Sequence, residues 1–487
     1  MADTSRVLTL TLDDAIHLTL EHNLGIQIQR YNPLMDRYVL AADYGVYEPA
    51  FYSTAKDTYT AQPPNLLSGL STPPIDLDDR SVAVGIGGPN GGYAATPWGL
   101  QYNLTTTLES ARYQRFDTNG LPLPPLTLNT TFAGLTLDQP LLRNGWIDAN
   151  RATIEIAKKN LRYDELGFQQ LVMTNVSAVE SAYYELTYAR ENIEVQGEAV
   201  RLASELVAEN QKRVKAGVLT VLDVAQSQSQ LSSAQAALLA ARQVATTDEN
   251  VLKNLITDKY REIYQERIMP AEKLVAVPAS FDLLASWQTG LEKRPDVRQA
   301  RISIERLKVN KKLQFNQMFP TLDLTGAYGR TGLSTDLGQS YGQIGPNDYP
   351  SYSYGMVLSV PLGDTTARNN YKVAKASLEQ AELVYRQVEQ TMLIQIENEI
   401  ETAKSDFAQV DATRQARVYA EEALTAEQRK LEVGTSTPFV VLQLQSDLTT
   451  ARSAEIRALA DYNEALATLS LFEGTILDQR QLSVKVD

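Results

Sequence analysis

The side chains best suited to chemistry are scarce in this chain. His17 and His22 are its only imidazoles, and it has no cysteine. A zinc-like site needs three or four convergent nitrogen, sulfur or carboxylate ligands. Two histidines on one helical pattern, with no consistent carboxylate partner, read instead as solvated or packing residues. No nucleophile, base and orienter fall at a recognisable spacing. Gly85-Ile86-Gly87-Gly88 lies in a Pro-rich stretch without the following helix that would bring a phosphate to its N-terminus. No catalysis, cofactor or metal is expected. The positions that stand out are two glycines and an acid, Gly217, Gly434 and Asp223, and their meaning depends on the elements that hold them.

Those elements belong to a chain of 487 residues, 43% hydrophobic and 21% charged, with a mean hydropathy of −0.26. So much polar surface suits a hollow or drawn-out fold better than several compact enzymes. No apolar run reaches the roughly 18 residues of a membrane helix, so entry into a bilayer would be by β-strands. The opening Met1-Ala2-Asp3-Thr4 reads as a start placed after a removed signal peptide, with a leaderless native start as the alternative. A net charge of −14 excludes an ordinary nucleic-acid binder, which needs a basic surface. The same acid excess suits a solvated surface or a water-filled lumen that tolerates cations.

The chain is a tandem repeat. A constant offset of 217 carries Ala157-Lys158 onto Ala374-Lys375, Gln211 onto Gln428, Gly217 onto Gly434 and Leu231 onto Leu448. Upstream, Leu20-Glu21-His22-Asn23 answers to Leu291-Glu292-Lys293-Arg294, and Gln139-Pro140-Leu141 to Val360-Pro361-Leu362. The two offsets there differ, so the first copy carries extra residues between Phe51 and Asn129. The repeats span residues 1–257 and 281–474, with a linker at 258–280 and a tail at 475–487.

Each repeat opens with a helical pattern, the first with Thr11 as N-cap and Pro33 as a kink or boundary. Period-two strand signals follow at about 47–60 and 126–140, and at 321–330 and 351–360 in the second copy. The segment 61–125 is turn-rich, although Trp98 to Arg112 also alternates; a hairpin extending the strands and an external cap both fit. Punctuation then stops, with no Pro between Leu141 and Met269 and neither Gly nor Pro from Asp364 to Val433. Only long helices fit such stretches. Leu378, Ala381, Tyr385, Val388, Met392, Ile396 and Ile400 form a heptad-like seam with a stutter. At 1.5 Å per residue a helix from Asn369 to Val433 extends on the order of 100 Å. Gly217 and Gly434 fall at the far ends, where a left-handed residue stops one helix before the next begins. One chain supplies too few strands to close a barrel, and open edges in lipid are costly, so closure must come from further copies.

In this order and duplicated, the pattern resembles the TolC-like outer-membrane efflux factors. The residues that carry the resemblance are Leu12-Asp13-Asp14-Ala15-Ile16, Leu291-Glu292-Lys293-Arg294-Pro295-Asp296-Val297, Gln139-Pro140-Leu141-Leu142-Arg143-Asn144-Gly145, Val360-Pro361-Leu362-Gly363 and the two Gly tips. It implies a mainly α fold with a β-barrel contribution, the tandem-repeat protomer of a trimeric α-barrel/β-barrel channel with long coiled-coil hairpins. Each copy would give four strands to a 12-stranded outer-membrane barrel, with a large periplasmic part. The implied partners are two further copies, a periplasmic adaptor, an inner-membrane transporter and outer-membrane lipid. The adaptor would grip Ala216, Gly217 and Val218 and Val433, Gly434 and Thr435. Gate candidates are Asp223, Val440 and Gln443, because the stretch Phe439-Val440-Val441-Leu442-Gln443 lacks the acids found there in some relatives. Asp223 also suits a helix start. A soluble coiled-coil scaffold or adhesin without a channel is the reading from another class, and an exit duct for type I secretion is the alternative within transport.

Overall fold

The computed structural model describes residues 7–62, 75–117, 121–217, 219–345 and 349–483. After strand β1 (Val7–Leu10), the Thr11 hydroxyl accepts the Asp14 N–H at 3.1 Å and the Asp14 carboxylate accepts the Thr11 N–H at 3.3 Å. This capping box opens α1 (Leu12–His22). The break before α2 (Leu24–Tyr44) falls at Asn23 rather than at Pro33, which lies inside α2 and is buried. Asn23 is extended, its side-chain oxygen accepts the Ile26 N–H at 3.1 Å, and its amide donates to the Leu255 carbonyl at 3.0 Å. A residue anchored on both sides outweighs the one helical bond that Pro33 removes.

The chain continues through β2 (Ala50–Gln62), β3 (Ile75–Gly87), β4 (Ala94–Ala95), β5 (Gln101–Phe116) and β6 (Pro122–Pro140). The helices α3 (Ala149–Lys215), α4 (Val221–Ile256) and α5 (Tyr260–Ile263) and strand β7 (Arg267–Pro270) complete the first copy and the linker. The second copy comprises α6 (Leu283–Lys293), α7 (Pro295–Asn316), β8 (Thr321–Ser334), α8 (Leu337–Gly342), β9 (Pro350–Ser359), α9 (Thr365–Glu432) and α10 (Pro438–Glu473), followed by α11 (Ile476–Gln479). The duplication persists in the lengths: α3 and α9 have 67 and 68 residues, and α4 and α10 have 36 each.

Two compact units each draw on both repeats. The first comprises Met1–Met35, Arg162–Ile302 and Leu383–Asp487. Here Phe168, Val172, Val176, Val179, Tyr183 and Leu186 of α3 form a buried seam against Ala15 and Ile16 of α1 and Leu252 of α4. In the second copy Met392, Ile396 and Ile400 of α9 are buried with Val297 and Leu469. Strand β1 pairs in parallel with β7, so the linker carries a strand, and Tyr183 donates to the Leu10 carbonyl at 3.1 Å. Ile476 of the tail is buried in the same core.

The second unit, Asp36–Leu161 and Ser303–Glu382, is built on an antiparallel sheet in the order β2-β3-β5-β6-β8-β9, with β4 beside β5. The extra segment of the first copy is thus part of the sheet. It supplies β3 and β5, which lie between β2 and β6, so six long strands stand where the resemblance implied four. Past β6, Arg143 donates through Nε to the Gln317 carbonyl at 3.0 Å and the Asn144 N–H donates to Asn316 at 2.7 Å, fixing the turn into α3. The edges of β2 and β9 have no strand beside them among the described residues.

Candidate functional site

The two hairpin tips are built alike. In the first, Ala216 and Gly217 close the end of α3 with N–H bonds to Lys212 and Val214 at 3.0 Å, and Gly217 has φ +76°. In the second, Gly434 has φ +79° and donates to Leu431 at 3.2 Å, while Thr435 donates to Lys430 at 2.9 Å. That pair of bonds is the Schellman ending, which needs a residue tolerant of the left-handed region. Nothing lies within 4 Å of where a Cβ would sit on either glycine. Val218 lies outside the described residues.

Helix α4 starts with Thr220 as its N-cap and Asp223 at the third position. The Asp223 carboxylate accepts the Thr220 N–H at 2.8 Å and its hydroxyl at 2.6 Å. These bonds, the hydroxyl's first, hold the Asp223 carboxyl below its ordinary range. Helix α10 instead begins with Pro438 in its first turn, where a missing N–H costs nothing. There the tip is held by Glu427, which accepts the Ser436 hydroxyl and pairs with Lys430 at 2.9 Å.

Arg213 donates to the Leu431 carbonyl at 3.0 Å and so ties the last turn of α3 to that of α9. Beneath, Leu206, Leu424, Leu431, Val441 and Leu442 form a buried cluster. Outside it, Val221, Leu222, Val433 and Phe439 are exposed apolar side chains around the tips. Val440 is also exposed, and Gln443 donates to Asp447 at 3.0 Å, one turn beyond the acid-free stretch. Arg213, Glu427 and Ser436 were not singled out from the sequence. The repeat offset held the signal, since it sets Glu427 against Asn210, which is fully buried with no partner for either polar side-chain atom.

His22 lies 3.7 Å from Asp258 and 3.8 Å from Glu21, so the fold supplies carboxylates that the sequence spacing did not suggest. No group of three or more ligand-type side chains occurs among the described residues. No helix among them is long and apolar enough to cross a membrane.

The outer membrane efflux protein family matches residues 103–257 and 287–475, most of the chain and both of its repeats. The chain belongs to this family. Its members are transport channels of the outer membrane. The outer membrane efflux protein BepC of Brucella suis is 25% identical over 359 residues, which are 71% of this chain and 72% of that protein. Among solved structures, the CmeC outer membrane channel of Campylobacter jejuni superposes with a TM-score of 0.66 at 16% identity, over 96% of this chain and 86% of that one. The outer membrane protein VceC of Vibrio cholerae gives a TM-score of 0.65 at 16% identity, over 95% and 96%. At such identities the structures speak for the fold, and the fold is that of these channels. The family membership places the chain in the outer membrane as an efflux duct.

Proposed function

We propose that three copies of this chain form the exit duct of a tripartite pump, passively conducting cargo from a periplasmic adaptor and an inner-membrane transporter to the exterior. The observation that carries the trimer is the sheet, whose outer edges, on β2 and β9, have no partner strand among the described residues. In lipid each unpaired backbone group costs several kcal/mol, so the edges call for further copies of the same strands. The names of relatives such as the toluene efflux pump outer membrane protein TtgC of Pseudomonas putida support efflux over type I secretion as the setting.

The adaptor docks at Ala216, Gly217 and Val218 on one tip and at Val433, Gly434 and Thr435 on the other. Exposed Val221, Leu222 and Phe439 offer it apolar contact. Val440 and Gln443 are the gate positions of the second tip. Asp223 serves first as the third residue of the capping box that opens α4, because its carboxylate already holds Thr220. The test is the mass of the detergent-solubilised particle. A trimer that needs detergent supports the duct; a water-soluble monomer or dimer sinks it in favour of a scaffold.

A further inference from the structure

The extra strands β3 and β5 share their face chemistry with the rest of the sheet. One registered row crosses all six long strands: Phe51, Ile86, Leu104, Leu135, Tyr328 and Tyr352, each the cross-strand partner of the next. All six are large, apolar or aromatic, and exposed. The neighbouring row, one residue along every strand, reads Tyr52, Gly85, Thr105, Gly134, Gly329 and Ser351. Successive side chains point to opposite faces, so at the level of these two rows one face is apolar and the other, Tyr52 apart, is small or polar across all six strands. On β3 the apolar face continues through Val84 and Val82 and ends at Arg80, which pairs with Asp57 and Asp78 at 3.3 and 3.6 Å; on β5 it continues through Leu108, the partner of Val82.

A cap in water would have no use for an apolar face in register with that of β8 and β9. The turn that adds the strands also stays off that face. Asn103 donates to the carbonyls of Gly91 and Gly92 at 2.7 and 2.9 Å, and Tyr52 donates to Asn103 at 3.0 Å. Asn103 and Tyr52 both belong to the polar face, so the connection from β3 to β5 folds over that side. With 13 and 16 residues, β3 and β5 exceed the roughly 9–11 that a membrane strand requires.

We propose that each copy inserts six strands rather than four, with bilayer hydrocarbon covering the face that carries Phe51, Ile86 and Leu104. Three copies of the six then close an 18-stranded barrel in which β9 of one copy pairs with β2 of the next. This rests on the trimeric duct proposed above. Barrel diameter grows about linearly with strand number, so the pore is roughly one and a half times as wide as a 12-stranded one and has about twice its area. Its inner face carries Lys56 and Glu109, which with Ser81 and Thr130 make a hydrated wall. The membrane section is thus a wide, water-filled outlet for bulky hydrophilic cargo, and size selection falls to the helical tips.

The chain has no cysteine, so single-cysteine probes can be placed without background. Val84→Cys, Ala83→Cys and Leu135→Cys, each labelled with an environment-sensitive maleimide, are reconstituted into vesicles containing brominated lipid, and the particle mass is measured in parallel. The expected result is a trimer in which bromine quenches the probes at 84 and 135 at least twofold while iodide quenches the probe at 83. A trimer in which 135 is lipid-quenched but 84 responds only to iodide overturns the six-strand barrel and leaves the duct standing. Should Leu135→Cys also report water, or no trimer form, the duct itself fails, and the barrel with it. Val82→Cys repeats the measurement if Val84→Cys does not fold.

Discussion

At the scale of single residues, the most consequential group outside the tips is Glu464 on α10. Arg457 donates to Glu185 at 2.7 Å, also binds Asp461, and stands 3.6 Å from Glu464, so three carboxylates share one guanidinium. One Glu464 oxygen is buried without a hydrogen-bond partner. Burial first, and then the negative charge of Glu185, push the Glu464 carboxyl up to about 8 from an ordinary value of 4.5. Between those two values the folded chain holds a proton that the unfolded chain has released. Stability therefore falls as pH rises through that window, and the loss is complete above it. Glu464→Gln keeps the neutral shape at every pH. Its melting temperature in detergent should match the wild type near pH 4 and exceed it by a growing margin towards pH 9. A difference that stays constant with pH would refute the assignment.

At the scale of elements, the tips carry the next prediction. A β-branched residue at Gly217 or Gly434 meets no neighbour, since the space around both positions is open. It meets the left-handed backbone instead, at a cost of roughly 1–2 kcal/mol. The strain is local to the tips proposed as the docking site, so Gly217→Val and Gly434→Val should lower export while leaving the yield of trimer nearly intact. Normal export in both would remove the tips from adaptor binding. The tips were legible because a helix end and its glycine are local events: the Gly- and Pro-free stretch from Asp364 to Val433 became α9, Thr365–Glu432. The break at Asn23 was not legible, because its anchor is the Leu255 carbonyl, far along the chain. Nor was β3. Val82-Ala83-Val84-Gly85-Ile86-Gly87 reads as a glycine-rich loop until both flanking strands are seen, since a Cβ added to Gly85 would lie 2.5 Å from the Leu104 carbonyl and 2.6 Å from the Tyr52 ring. A strand that owes its glycine to its partners cannot be recognised from its own residues.

At the scale of the whole molecule, charge decides what a passive conduit admits. Each copy carries a formal −14, and the lumen-side face of the sheet sets Asp79, Glu109, Asp138 and Asp323 against Lys56 among hydroxyls and glycines. In the trimeric duct proposed above, three such copies around one water-filled path would raise the local concentration of cations over anions. A pore that selects by mean field rather than by a tight binding site should lose its preference when salt shortens the reach of that field. The Debye length is about 10 Å at 0.1 M and about 3 Å at 1 M. In a lipid bilayer under a tenfold KCl gradient, the reversal potential of the purified channel should therefore have the sign of potassium permeation when the dilute side is near 0.1 M. It should shrink towards zero as both sides are raised at the same ratio. An anion-selective potential would contradict an acidic lumen. A cation preference unchanged by salt would point to a tight ring of carboxylates, and the mean field of the duct would then not be the filter.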